Sequence, residues 1–222
     1  MTIYYAPDWR KVKIREIKSD INEKGDGYAW DFMDAPLDVD GDGLLDVVTL
    51  SWHGQSIEWL KNPGKDGVLW ETFLVEKNGN YECGDIHDVN GDGIAKEIVP
   101  HTQTTHWFAL EKNKDGKQGL VKHTVSSEKY GIGVGDVNGD GRPDFLRPTA
   151  WFEAPAKPDG EWIRHAWSLG GLNGKTEHTP QILVYDVNGD GRNDVITSSA
   201  HRYGIFWYEQ LGGKRSVETT RY

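Results

Sequence analysis

One acidic, glycine-containing segment occurs four times along the 222-residue chain. Its copies are residues 38–46, 88–97, 136–144 and 186–194, and the second copy is one residue longer than the others. The first residues of successive copies are 50, 48 and 50 positions apart. Such a period is typical of a repeat architecture, in which each unit buries its faces against its neighbours. We therefore expect four related units.

Each copy carries oxygen-bearing side chains at positions 1, 3 and 5 and at its last position, with a glycine at position 6. Calcium takes roughly six to eight oxygen ligands, and a tight turn can aim alternate side chains at one point. Position 7 would offer only its carbonyl oxygen, so its side chain is expected to be free to vary. Turn formation without a metal is the alternative, although it does not explain four copies in one order. We predict up to four Ca²⁺ ions, with these ligands: Asp38, Asp40, Asp42, Leu44, Asp46; Asp88, Asn90, Asp92, Ile94, Glu97; Asp136, Asn138, Asp140, Arg142, Asp144; Asp186, Asn188, Asp190, Arg192, Asp194.

Charge and composition limit the partners of the chain. The formal net charge is −10, which argues against nucleic acid as a partner. Thirteen of the 35 acidic residues lie in the four loops, so four bound calcium ions would bring the net charge to about −2. Cys83 is the single cysteine, which excludes an internal disulfide framework. No signal peptide or membrane-spanning run is evident, and we expect an extracellular or periplasmic mature form, with the cytoplasm as the alternative.

The segments between the loops have the pattern of short strands, and none shows a sustained helical period. Each unit can be divided into a strand with an aromatic start (residues 70–75, for example), a short strand, the acidic loop, a β-branched strand and an aromatic strand. Four antiparallel strands in each repeat of about 50 residues are the pattern of a β-propeller blade. We predict an all-β fold and one propeller domain over residues 1–222.

The number of blades depends on how the two ends of the chain meet. A closed ring of four blades is favoured, in which residues 9–17 pair with residues 206–209 and cover an exposed edge. The segment 214–219 could take that place instead. In that case the chain is part of a larger propeller or assembles as a homo-oligomer.

Three runs of sequence resemble the FG-GAP/VCBS repeats of integrin-like, calcium-binding β-propellers. They are DVNGDGRPDFL followed by AWFEAP, DVDGDGLLDVV followed by IEWLKNPG, and DVNGDGRNDVI followed by IFWYEQ. The second copy departs from the pattern, because its last acid is Glu97, one position late. The resemblance implies that the acidic loops lie on one face of the disc. The opposite face would then carry the strand ends and turns.

That opposite face would collect aromatic, histidine and charged side chains. Such residues suit a saccharide, since indole and phenol rings stack on sugar faces while His and acids bind hydroxyl groups. The same types could hold a transition metal, or could occupy solvated turns with no ligand. The candidate ligand-binding residues are Trp30, His53, His101, Tyr130, His178, His201 and Arg202.

Three functions are compatible with these features. The first is a calcium-stabilised binding module for carbohydrate, or otherwise protein, without membrane insertion. The second is a sugar-active enzyme of lyase or dehydratase type, with a His or Tyr base and an Arg beside the substrate carboxylate. The propeller domains of such enzymes belong to the family that the repeats resemble. The third is a repeat scaffold that binds no ligand but its ions.

Overall fold

The protein is described by a computed structural model that covers residues 1–128, 131–157, 160–169, 179–200 and 203–211. Within these ranges the chain forms 17 strands and no helix. This part of the chain accordingly contains no helix long and apolar enough to cross a membrane. The all-β prediction is confirmed. The chain forms strands because its short β-prone segments alternate with glycine-rich turns, as the sequence pattern indicated.

The strands form a hairpin and four larger sheets, each in simple meander order. The hairpin contains β1 (Thr2–Tyr5) and β2 (Arg10–Lys13). The first repeat sheet contains β3 (Met33–Leu37), β4 (Asp46–Ser51), β5 (Ser56–Lys61) and β6 (Glu71–Lys77). The second contains β7 (Cys83–His87), β8 (Glu97–His101), β9 (Thr105–Lys112) and β10 (Gln118–Ser126).

The third and fourth repeat sheets follow the same order. The third contains β11 (Gly133–Gly135), β12 (Asp144–Arg147), β13 (Ala150–Glu153) and β14 (Ile163–Ala166). The fourth contains three strands in the described residues: β15 (Ile182–Tyr185), β16 (Asp194–Ser198) and β17 (Ile205–Tyr208). The chain divides into two compact units, Met1–Asp85 with Phe108–Val121, and Ile86–Trp107 with Lys122–Tyr222. The single domain and the closed ring stay predictions.

The structure corrects the order of strands within a repeat. The strand predicted to open the second unit is β6, and it pairs antiparallel with β5 of the first repeat sheet. The turn between β5 and β6 explains this, because Gly64 and Gly67 adopt left-handed backbone angles (φ of 66° and 78°) and reverse the chain. Each acidic loop therefore lies between the first and second strands of its sheet.

The predicted closing pair, residues 9–17 with residues 206–209, does not occur among the strand pairs of the described residues. Within residues 9–17, the strand β2 pairs with β1 through a short local connection. The strand β17 pairs with β16. The competing segment 214–219 lies outside the described residues.

Glycines let the first strands of the third and fourth sheets approach closely. The Ile182 amide donates to the Ile132 carbonyl at 2.9 Å. A Cβ atom on Gly133 would overlap the Ile182 carbonyl oxygen, and one on Gly135 would lie 2.6 Å from the Val184 Cβ. Behind these strands, Ile182 packs in a core that includes Leu146, Trp151, Val195 and Phe206.

We expect Gly133→Ala to destabilise the protein by about 1–3 kcal/mol, because a methyl group has no room there. Gly119→Ala in β10 is the matched control, since no atom lies within 4 Å of the position of its added Cβ. The melting temperature of the control should be equal to or slightly above that of the wild type. Equal melting temperatures for the two variants would show that the close approach does not constrain the fold.

Candidate functional site

The first acid of each loop organises the loop backbone. In the first loop, Asp38 Oδ1 accepts hydrogen bonds from the amides of Gly41 and Asp42 at 2.9 and 3.1 Å, and Oδ2 accepts one from Gly43 at 2.9 Å. Gly41 and Gly43 have left-handed φ angles of 75° and 87°, which explains why glycine stands at positions 4 and 6. Asp186 binds the corresponding amides of the fourth loop.

The last acid of each loop is buried, and in the first and fourth loops it joins three parts of its sheet. Asp46 Oδ2 accepts hydrogen bonds from the Val39 amide at 3.1 Å and from the Trp59 indole at 2.8 Å. Its Oδ1 accepts one from the Asn62 amide at 2.7 Å. Asp194 makes the equivalent three bonds in the fourth loop. The carboxylate thus connects the loop, the second strand and the end of the third strand.

The longer second loop ends in a longer acid. Glu97 is buried, and its Oε2 accepts from the Val89 amide at 3.0 Å. Its Oε1 accepts from Asn90 Nδ2 at 3.1 Å. The Val89 bond corresponds to the bond between Asp46 and the Val39 amide, so the extra methylene of Glu compensates for the inserted residue at this contact.

Burial makes the charge on these acids costly. It raises the pKa of Asp46 and Glu97, although the amide donors oppose the shift. Burial also raises the pKa of Asp144 to about 7, again against the bonds from Ala154 and Val137, and nearby Asp140 and Asp136 raise it further. A cation close to these carboxylates would favour their charged form.

The first loop has donors suited to a hard divalent cation. Asp38, Asp40 and Asp42 can each offer a carboxylate oxygen, and these oxygens lie within 4.8 Å of one another. Carboxylate oxygens at such spacing are the ligand type that calcium prefers. These three residues, with the carbonyl of Leu44 and the carboxylate of Asp46, would hold the ion. The positive charge of the ion would hold these carboxylates together and so stabilise the turn. All four ligand sets stay predictions.

Basic side chains contact the fifth position of all four loops, a feature that the sequence pattern did not reveal. The side chains of position 7 in the third and fourth loops, expected to be free to vary, are among them. The contacts are Lys61 with Asp40 and Asp42, Lys96 with Asp92, Arg142 with Asp140, and Arg192 with Asp190.

Two of the predicted ligand-face residues, Trp30 and His53, come together at the end of the first repeat sheet opposite its loop. Met33 pairs with Leu50 at that end, whereas Leu37 pairs with Asp46 beside the loop. The His53 ring lies 6.5 Å from the Trp30 ring, between centroids.

Tyr28 and Phe32 complete this aromatic cluster, with centroids 4.9 and 5.7 Å from that of His53. The Lys18 ammonium lies 5.9 Å from the Trp30 ring centroid. We call Tyr28, Trp30, Phe32 and His53 the ring cluster.

A cavity of about 330 Å³ borders the ring cluster at Trp30. Polar groups line it, among them the hydroxyls of Ser51 and Ser56 and the ion pair in which Arg15 Nη1 donates to Glu58 Oε2 at 2.8 Å. Asp31, next to Trp30, is buried and its Oδ1 accepts from the Thr49 hydroxyl. Among the described residues, neither Asp31 Oδ2 nor Trp30 Nε1 has a hydrogen-bond partner.

The remaining predicted face residues have other roles or lie outside the description. His101 is buried, and its Nε2 accepts from the Gly131 amide at 2.9 Å. Arg147, at the end of β12, is fully buried, and burial lowers its pKa to about 9. Its guanidinium donates to Thr105 Oγ1 and to the carbonyls of Gly131 and Thr104 at 2.6–2.8 Å. The other candidates are outside the described residues: Tyr130, His178, His201 and Arg202.

Comparison with known proteins supports the repeat. Residues 38–99 match the model of the FG-GAP-like repeat. The crystal structure of the biofilm matrix protein Bap1 of V. cholerae is similar at a TM-score of 0.44 and 23% identity. That match covers 78% of this chain and 25% of the Bap1 chain, so this chain spans about a quarter of that protein. No curated protein matches the chain.

We expect Asp46→Asn to lower the stability of the metal-free protein by about 2–3 kcal/mol, because its amide NH₂ would face an N–H donor inside the sheet. Asp42→Asn is the control, since its retained oxygen can still accept from Leu44, at 2.9 Å in the wild type. Its loss should stay below about 1 kcal/mol. Urea denaturation in EDTA compares the two. Equal losses would contradict the structural role of the last acid.

Proposed function

Because residues 38–99 form an FG-GAP-like repeat and a ring cluster lies opposite the acidic loop of that repeat, we propose that the chain is a calcium-stabilised binding module for carbohydrate. The single observation that carries the ligand class is the ring cluster beside the Trp30 cavity. Protein as the ligand is the alternative occupant of this surface.

The ring cluster offers the apolar half of a sugar site. Tyr28 is 58% exposed, although its ring lies 4.9 Å from His53 and 6.1 Å from Phe32 between centroids. The stacked neighbours limit the freedom of the Tyr28 ring, so ordering this side chain on ligand binding would cost less conformational entropy. The C–H face of a pyranose can pack on such a ring.

The cavity offers the polar half. Arg15, Lys18 and Thr72 are among the residues that line it, and their donor groups suit sugar hydroxyls. Ser51, Ser56 and the Arg15–Glu58 pair add groups that suit sugar hydroxyls. The volume is near the lower end of ligand pockets, roughly 300–1,000 Å³, and favours a mono- or disaccharide unit.

Calcium in this proposal stabilises the loops and does not contact the sugar. The ligand sets predicted above would bind up to four ions, and extracellular calcium-binding modules use oxygen ligands of this type. We therefore propose an extracellular or periplasmic location. Among the described residues, His101 and Arg147 are buried and hydrogen-bonded to other parts of the chain, which favours binding over elimination chemistry.

We expect Tyr28→Ala to weaken glycan binding about tenfold, through loss of the stacking ring. Tyr4→Ala is the matched control, because Tyr4 is 55% exposed and lies in β1, outside the ring cluster. A glycan array with calcium-loaded protein identifies the ligand, and titration calorimetry compares the variants. An array without binding above background would remove the carbohydrate assignment. Equal affinities for the two variants would remove the ring cluster as its site.

We expect EDTA to lower the melting temperature of the wild type by several degrees, because loss of bound ions removes their stabilisation of the folded state. Asp190→Ala should reduce the calcium-dependent part of that difference, since it removes one predicted ligand. Added calcium, but not added sodium at equal ionic strength, should restore the melting temperature. An unchanged melting curve in EDTA would contradict the calcium assignment.

A further inference from the structure

Each loop is in contact with a positively charged side chain of the protein itself, and in every loop that side chain pairs with the acid at position 5. The acid at position 5 uses Oδ1 to accept the amide of position 7, at 2.9 or 3.0 Å in all four loops. Its Oδ2 points to a basic group: Lys61 in the first loop at 3.2 Å, Lys96 in the second, Arg142 in the third at 2.5 Å and Arg192 in the fourth. The basic group thus takes the oxygen that the backbone leaves available.

The four basic side chains come from three different positions of the repeat. Lys61 ends β5, Lys96 lies in the one-residue extension of the second loop, and Arg142 and Arg192 stand at position 7. A requirement for a basic residue at one fixed position of the repeat would not place the charges at three different positions. What the four share is the charge that they bring to the loop.

We propose that Lys61, Lys96, Arg142 and Arg192 are internal counter-ions of the loops. They keep the clustered carboxylates folded when no divalent ion is bound, and a divalent ion must displace them from Oδ2 to coordinate there. The inference rests on the proposed calcium function for its second half only. Its first half concerns the metal-free protein.

The way in which the counter-ions are held predicts how the loops differ in calcium affinity. Arg142 and Arg192 are fixed at a second point, because their Nε atoms donate to the carbonyls of Ala154 at 3.1 Å and Gln210 at 2.8 Å. Lys61 is held by the loop acids Asp40 and Asp42. An ammonium on a flexible stem leaves more readily than a guanidinium with a second anchor.

The first loop also has four acids, whereas each other loop has three. It should therefore bind calcium most tightly.

The test compares Arg192→Met with Arg164→Met in full-length protein. Methionine keeps the backbone carbonyl of position 7 and removes the charge, together with the bond that Arg192 Nε donates to the Gln210 carbonyl. Arg164 is the matched control, because it pairs with Glu128 at 2.8 Å outside the loops and is similarly exposed. Lys61→Met with Lys13→Met repeats the comparison for lysine, since Lys13 pairs with Glu16 away from any loop.

Two readouts are measured for each variant: the melting temperature in EDTA, and calcium binding by titration calorimetry. The loop variants should melt lower than their controls in EDTA, and should bind calcium about tenfold more tightly at the changed loop, because a competing charge is removed. Calcium affinity equal to that of the controls in both loop variants overturns the proposal.

A wild type that binds no calcium would remove the calcium part of the proposed function. The counter-ions are then tested by the variants alone. Calcium binding gained in Arg192→Met or Lys61→Met supports them. If no variant binds calcium, the melting temperatures in EDTA decide, and loop variants that melt at the same temperature as their controls overturn the counter-ions.

Discussion

The buried carboxylate that ends each acidic loop is the constraint on which the sheets depend. Asp46 accepts from the loop amide of Val39, from the Trp59 indole of β5 and from the Asn62 amide after β5. Desolvation of this charge is offset only when all three donors are in place. The loop, the second strand and the third strand must therefore form together. Because Asp194 makes the same bonds, this coupling recurs along the chain.

Much of the first repeat sheet could be predicted from the sequence, since its signals are local. The spacing of the acids located the loop, and the β-branched run after Asp46 located β4. The partner of β6 could not be predicted in this way, because a strand pattern does not state which neighbour it pairs with. The position of Lys61 beside Asp42 depends on the β4–β5 register. No spacing within the loop contains that information.

The ring cluster was predicted in part for the same reason. Trp30 and His53 flank β3 and β4 at one end, so their proximity followed from antiparallel pairing. Tyr28 and Phe32 were missed, because alternate residues entering a strand are equally compatible with core packing. His101 and Arg147 occupy comparable strand ends but are buried and bonded to backbone groups. Residue type alone could not distinguish an exposed side chain from a buried one.

The strand β4 explains how an ion could support a sugar site without contacting the sugar. It begins at Asp46, which belongs to the predicted ion site, and Thr49 in the same strand donates to Asp31 beside Trp30. An ion that fixes the first loop would hold the start of β4 and, through Thr49, the orientation of Asp31. Since β4 is buried along its whole length, it is held rigidly, and fixing one end of the strand also fixes the other. Calcium and ligand would then be coupled through stability of one strand, which requires no conformational switch.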